Sequence, residues 1–148
     1  MSFDNIDSFV AEFEEQKKQF SVKMQGEFKK MVTEFFDACP DVKSIVWVQY
    51  TPYFNDGSPC VFGIGDVTFS NADPENVSPW GELEDEEEGL WAASYGYKEY
   101  LAEPQAEYCD KFSRMVNQLD GVMQEMFGDH VRINVTREGF DVEEYIHD

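Results

Sequence analysis

Basic residues are scarce in this sequence, and their scarcity limits what the protein can bind. The 148 residues include 11 lysines and arginines against 31 aspartates and glutamates, which gives a formal net charge of −20. Direct binding to nucleic acid or to an anionic membrane requires clustered Lys and Arg side chains, so the composition argues against both. Self-repulsion at this charge destabilises the compact state, and the charge fits a partner whose surface is basic.

Cysteines and long apolar runs are also few. Cys39, Cys60 and Cys109 are widely spaced and odd in number, which argues against a disulfide framework and for a reducing compartment. No apolar run approaches the roughly 18–20 residues that cross a bilayer. The first nine residues, MSFDNIDSF, lack the basic and then apolar pattern of a signal peptide. We therefore expect a soluble, cytoplasmic protein.

The common signatures of catalysis and cofactor binding are missing from the sequence. It contains no G-x-x-x-x-G-K-[ST], G-x-G-x-x-G or H-E-x-x-H motif. Neither His130 nor His147 has a serine or cysteine beside it in a known catalytic arrangement. The glutamate run at 82–88 lacks the alternating ligands and central glycine of a calcium loop. We predict a protein that is not an enzyme and that has no cofactor and no metal site.

The stretch 44–69 is the centre of the fold prediction. Two runs rich in aromatic and β-branched residues flank Asn55-Asp56-Gly57, and this turn chemistry predicts a hairpin because these residues tolerate positive φ. Side chains alternate between the two faces of a strand. The face with Val46, Val48 and Tyr50 is more uniformly apolar than the face with Ile45 and Trp47, so we expect the former to contact the helices.

Helical periodicity and a second hairpin complete the predicted α+β fold. Apolar residues recur near every 3.6 positions over about 4–38 and 104–127, and alternating runs predict a C-terminal hairpin at about 130–146. Residues 89–101 fit either a strand or a short helix. We predict that residues 1–148 form a single domain, with an antiparallel sheet packed on two helices. The predicted core includes Val48, Tyr50, Phe112, Met115 and Leu119.

The first predicted helix is longer than one small domain needs, about 50 Å at the standard rise per residue. A break near Lys17 or Gly26 stays open, and the helix would then fold back into its own core. The other interpretation is that residues 1–25 form an extended helical arm that packs on a second copy of the chain. Large exposed rings are unfavourable in water. We therefore predict a homodimer whose interface includes Phe9, Phe13 and Phe20.

The negative charge is least compensated in the middle of the chain. Residues 44–97 contain ten acidic residues and no Lys or Arg, and residues 70–89 are predicted to form an acidic loop. Two interpretations stay open. The loop is solvated and keeps the protein soluble, or its carboxylates imitate a phosphate backbone and occupy a nucleic-acid-binding groove of a partner protein. The candidate partner-binding residues are Glu82, Glu84, Asp85, Glu86, Glu87 and Glu88.

Residues 47–60 read WVQYTPYFNDGSPC. This stretch resembles a segment, W-x-Q-Y-T-P-Y-F-N-D-G-x-P-C, of small and mostly uncharacterised proteins of tailed bacteriophages. The resemblance implies a phage origin and the cytoplasm of a host cell, but it brings no catalytic residue and no ligand.

Small acidic phage proteins that act as DNA mimics against host defence are a known class, which includes anti-restriction proteins. We therefore predict a protein that binds and inhibits a host protein, such as a defence or nucleic-acid-processing factor. The competing interpretation is an oligomeric structural or accessory phage protein whose acidity serves solubility only.

Overall fold

The computed structural model of the protein describes residues 3–53, 57 and 60–146. It has the predicted α+β fold, with three helices and an antiparallel sheet. Two short 3₁₀ turns, Pro74–Asn76 and Tyr97–Glu99, lie in the connections. The helices and strands are α1 (Phe3–Ala38), β1 (Ser44–Tyr50), β2 (Gly63–Ile64), β3 (Thr68–Ser70), β4 (Ala92–Ala93), α2 (Gln105–Gln118), α3 (Asp120–Phe127), β5 (Val131–Thr136) and β6 (Gly139–Glu144).

Strand β1 lies at the centre of the sheet. The strand order is β4-β3-β1-β5-β6, and β2 pairs with the far end of β1. Both predicted hairpins are confirmed, since β1 pairs antiparallel with β2 and β3, and β5 pairs with β6 along six residues. Asn55 and Asp56, the predicted turn residues, lie outside the described residues, as does His147.

The prediction for the two faces of β1 is wrong, because Ile45 and Trp47 face the helices. The indole of Trp47 makes edge contacts with three phenylalanines of the helices, at ring-centroid distances of 6.3–6.5 Å. Gln49 is buried on the same face because its side-chain nitrogen donates hydrogen bonds to the carbonyl oxygens of Met123 and Gly128, at 2.9 and 2.8 Å. Its side-chain oxygen accepts one from Trp47 Nε1 at 3.0 Å. The Gln49 side chain can therefore lie in the core, because its nitrogen and its oxygen both have hydrogen-bond partners.

Helix α1 is continuous through both positions where a break stayed open, Lys17 and Gly26. The predicted helix 104–127 is instead divided at Leu119, whose backbone leaves helical geometry at φ −106° and ψ 34°. The segment 89–101, for which two interpretations stayed open, contains both the short strand β4 and a 3₁₀ turn.

The prediction of core residues is confirmed for Val48 and Phe112, which are buried, and is wrong for the other three residues that were predicted. Tyr50, Met115 and Leu119 are only half-buried. The stripe of α2 that faces the core is rotated away from Met115, and its buried residues are Ala106, Cys109, Phe112 and Val116. Helical periodicity locates such a stripe, but its centre depends on how the helix lies on the sheet.

Candidate interaction surfaces

Residues 71–91, which we call the acidic segment, connect β3 to β4, and their 3₁₀ turn at Pro74–Asn76 packs on β1 and β5. The ends of this segment are held together by Asn71. Its side-chain nitrogen donates to Gly89 O at 2.8 Å, and its side-chain oxygen accepts from Trp91 N at 2.8 Å. The backbone nitrogen of Asn71 also donates to Trp91 O at 3.3 Å. These three hydrogen bonds therefore hold the two ends of the acidic segment together.

A second asparagine, Asn76, holds the acidic run itself. Its side chain donates to Asp85 O at 3.0 Å and accepts from Asp85 N at 2.7 Å, while its backbone oxygen accepts from Glu84 N at 2.8 Å. A bridge between Val77 and Leu83 lies next to these bonds. These contacts give the acidic run a defined backbone path, although the run lies in neither a helix nor a paired strand.

Arg132, on β5, fastens the acidic segment to the sheet. Its side chain lies on the same face as Val48, the residue directly opposite it on β1. One terminal nitrogen donates to Pro74 O and Val77 O, both at 2.6 Å, and Nε donates to Asn134 Oδ1 at 2.8 Å. Burial lowers the pKa of Arg132, while the carboxylates of Glu143 and Glu84 act in the opposite direction. A guanidinium remains charged in proteins, so these are charge-assisted bonds.

The structure brings the six predicted partner-binding carboxylates together on this fixed backbone, and all six residues are exposed. Among the described residues, none of the six is in an ion pair within 4.0 Å; they are Glu82, Glu84, Asp85, Glu86, Glu87 and Glu88. Their charges are therefore available to a partner without the loss of an internal ion pair.

Sequence reasoning missed Trp80, whose side chain is 74% exposed next to the acidic run. The following residue, Gly81, has φ +85°, and a Cβ atom there would lie 2.6 Å from Thr68 Oγ1. Only glycine fits here, because a side chain would clash with Thr68, and the turn can therefore pack directly against β3. A Trp-Gly pair in a loop was the only sequence signal for this feature. Exposed tryptophans are frequent anchors of protein interfaces.

A second exposed surface lies on the N-terminal part of α1. Every residue from 5 to 20 is exposed, and the helix first contacts the core at Met24. We call residues 5–23 the arm. The rings of Phe9, Phe13 and Phe20 are 71%, 62% and 51% exposed, so they are not in the core of their own chain. Whether the arm joins a second copy stays a prediction.

Two further contacts hold the base of the arm against α3. Lys17 Nζ lies 3.5 Å from Glu125 Oε2, and the Gln25 side chain donates to Met126 O at 3.3 Å. Both are partly exposed, and a single surface ion pair contributes little stability. The direction of the arm is therefore set mainly by the continuity of α1.

The histidine that the structure describes, His130, takes part in a structural contact at the start of β5. Its ring stacks on Tyr53 with 4.9 Å between ring centroids. Burial tends to raise the pKa of the neighbouring Asp129, but hydrogen bonds from Thr51 and His130 outweigh this effect and lower it. Asp129 accepts from Thr51 N at 2.7 Å and from Thr51 Oγ1 at 2.6 Å. This carboxylate thereby ties the end of β1 to the start of β5.

The cysteines occupy two kinds of environment. Cys39 and Cys109 are fully buried between α1 and α2, whereas Cys60 is half-buried. The neighbouring Cys39 thiol, together with burial, raises the pKa of the Cys109 thiol far above its usual value. Thiols in this state are poor nucleophiles because the thiolate is the reactive form. Cys109 therefore belongs to the core and offers no reactive site.

Within the part of the chain that the structure describes, no three His, Cys, Asp or Glu side chains are grouped so that they could hold a metal ion. None of the described helices has both the length and the apolar character needed to cross a membrane. No protein-family model matches the chain, and no curated protein or solved structure is significantly similar to it.

Proposed function

We propose that this is a non-enzymatic, acidic protein that binds a basic surface of a partner protein through residues 82–88. The observation that supports this proposal is the hydrogen-bonded backbone of the acidic segment. Asn76 holds the backbone of Glu84 and Asp85, and Arg132 holds Pro74 and Val77. A loop that served solubility alone would need no such fixation.

Fixation of the backbone favours binding for a thermodynamic reason. Association requires the ordering of interface side chains at about 0.5–1.5 kcal/mol for each flexible one, and a mobile loop adds the cost of ordering its backbone. Here the backbone is already ordered, so only the glutamate side chains lose freedom. Clustered negative charge also steers a basic partner during diffusion and raises the association rate. Trp80 would supply an apolar contact at the edge of the acidic run.

The resemblance of residues 47–60 to phage proteins favours a host protein as the partner. A host defence or nucleic-acid-processing factor has a groove that accepts a phosphate backbone, and such a groove is lined with Lys and Arg. Carboxylates on a fixed backbone would compete with nucleic acid for that groove. The expected outcome of binding is inhibition of the partner.

The test is capture of host proteins on the immobilised protein, followed by competition with double-stranded DNA. We expect DNA and added salt to release the captured protein, because screening weakens contacts between exposed charges. A variant that carries Glu84→Gln, Asp85→Asn, Glu86→Gln and Glu87→Gln should capture far less and associate more slowly.

The matched control removes four exposed carboxylates that lie outside the acidic segment. It carries Glu34→Gln, Glu99→Gln, Asp120→Asn and Glu144→Gln, so its net charge equals that of the test variant. We expect it to bind like the wild type. If both variants lost capture equally, overall charge and not the acidic segment would explain the binding. If the test variant still captured the partner and DNA did not release it, the proposal would be contradicted.

A second candidate function is favoured by the exposed arm of α1. An oligomeric structural or accessory phage protein needs a self-association surface, and its acidity would then serve solubility only. In that case the four substitutions in the acidic segment would lower solubility but leave every interaction intact. Solubility and capture, measured on the same two variants, therefore separate the two functions.

A further inference from the structure

The arm carries an apolar stripe that is continuous with the core-facing stripe of the same helix. Phe9, Phe13 and Phe20 lie on one side of α1. One and three turns beyond Phe20, the same side carries Met24 and Met31, which pack against the core. In the arm this side is exposed. Isolated rings on a surface are common, but a row of them along about three helical turns marks an interaction site.

The charges of the arm are divided by position along the helix. Residues 5–15 contain four acidic residues and no Lys or Arg, whereas residues 16–23 contain three lysines and no acidic residue. The half of the arm near the N-terminus is therefore negative and the half near the core is positive.

The division holds on both flanks of the apolar stripe. Residues 4, 7 or 11 positions apart share a helix face. On one flank, Asp7 and Glu14 are followed by Lys18; on the other flank, Glu12 is followed by Lys23. Within the described residues, neither Lys18 nor Lys23 is in an ion pair in the single chain.

We propose that two copies of the chain pair antiparallel through their arms, related by a two-fold axis near residue 15. This symmetry places each flank against the same flank of the partner, with the chain direction reversed. The acidic half of one arm then lies along the lysines of the other on both flanks. A parallel pair would place acid beside acid along the first three turns, and such contacts are repulsive.

The exposed area is sufficient for a stable contact of this kind. If a phenylalanine side chain is taken as about 200 Å², the three rings expose roughly 350 Å² in each chain. Two chains therefore contribute roughly 700 Å² from these rings alone. Ile6, Val10 and the aliphatic parts of the flanking lysines add to this. A specific interface buries about 1,000 Å² or more, so the paired arms reach that size.

The first test is the mass of the protein in solution. Sedimentation equilibrium at micromolar concentration should give twice 17.1 kDa for the wild type. Phe9→Asp with Phe13→Asp should give a monomer whose circular dichroism shows a folded domain. Val61→Asp with Ile146→Asp is the matched control, because it adds the same charge at two exposed apolar residues elsewhere. A monomeric wild type, or a dimer that survives the arm substitutions, would overturn the proposal.

The second test addresses the direction of pairing. A swapped variant carries Asp7→Lys, Glu12→Lys, Lys18→Glu and Lys23→Glu, and its net charge is unchanged. In an antiparallel pair, the swapped chains attract one another but repel the wild type, so a mixture should contain homodimers only. In a parallel pair, swapped and wild-type chains attract and heterodimers should dominate. Native mass spectrometry of a refolded mixture with one isotope-labelled chain separates the outcomes, and predominant heterodimers would overturn antiparallel pairing.

Discussion

The two sides of the sheet are covered in different ways. On one side, the rings of Trp47, Phe112 and their neighbours pack together with α1, α2 and α3. On the other side, Val46 and Val48 are covered by the acidic segment, which is held by hydrogen bonds from Asn76 and Arg132. The first side depends on buried apolar area and the second on a small number of specific polar contacts.

The charge of the acidic segment explains this difference. Its carboxylates must stay in water, because burial of an unpaired charge is strongly unfavourable. The acidic segment therefore buries few large side chains, and hydrogen bonds between side chains and backbone hold it instead. The two sides should respond differently to substitution: loss of a ring should destabilise the whole domain, and loss of a polar contact should release the acidic segment.

The largest effect is expected for Phe112→Ala on the helical side. The ring of Phe112 lies 5.2 Å from that of Phe35 and 5.9 Å from that of Phe69. Removal of a ring from a packed core lowers the free energy of unfolding by about 3–5 kcal/mol. Denaturant titration measures the change, with Tyr108→Ala on the exposed side of the same helix as control. If the two variants lost the same small amount, the ring cluster would not be the main source of stability.

A smaller effect is expected for Arg132→Met on the side of the acidic segment. The substitution keeps an apolar stem but leaves Pro74 O and Val77 O without their donor. Bonds to a charged donor contribute about 1.5–3 kcal/mol, so the free energy of unfolding should fall by that amount. Hydrogen exchange should also rise at Glu84 and Asp85.

The matched control for this substitution is Arg114→Met. Arg114 lies on the surface of α2, where it pairs with Asp110 at 3.6 Å. The change should stay within about 0.5 kcal/mol. If Arg132→Met left exchange in the acidic segment unchanged, the guanidinium would not be what fastens this segment to the sheet.

A local effect is expected for Asn76→Ala. The two side-chain bonds to Asp85 are lost, and a neutral hydrogen bond contributes about 0.5–1.5 kcal/mol. Exchange at the amide of Asp85 should rise while the core amides stay protected. Asn117→Ala, on the exposed side of α2, is the control that should leave Asp85 unchanged. A uniform rise across the sheet would show that the two sides are not independent.

The last prediction concerns the ionisation of Tyr97, on the helical side, which should leave stability unchanged at neutral pH. Burial raises the pKa of Tyr97 to about 12 from an ordinary value of 10.0. The folded state therefore favours the neutral phenol, and this contribution to stability is present below pH 10 and is lost as the pH rises towards 12. A hydrogen bond to Asp66 also raises the pKa of Tyr95, so the test compares the wild type with Tyr95→Phe and with Tyr97→Phe. Tyrosinate absorbance of Tyr97→Phe should lack the step near pH 12, and Tyr95→Phe should keep it. A step near pH 12 that persists in Tyr97→Phe would contradict the assignment.

The helices and hairpins were predictable because their signals are local. Apolar spacing indicates α1 and the region of α2 and α3, and two short alternating runs around Arg137-Glu138-Gly139 indicate the C-terminal hairpin. The six carboxylates of the candidate surface were also predictable, because a run of glutamates without lysine is exposed in almost any fold. Their fixed backbone was not predictable. It depends on side-chain bonds of Asn76 within the loop itself, for which no local pattern exists, and on Arg132, which bonds to Pro74 and Val77 at separations of 58 and 55 residues.

The sequence by itself determined the fold class, the excess of negative charge and the apolar stripe along α1, because composition and periodicity are properties of the chain alone. Only the tertiary structure decided which face of β1 meets the helices. Apolar character favoured the face of Val48, but Gln49 lies in the core because Met123 and Gly128, more than seventy residues away, accept its hydrogen bonds. The tertiary structure also decided that the stripe of α1 is buried from Met24 onward and exposed before it, because the sheet, α2 and α3 extend only along the C-terminal half of that helix.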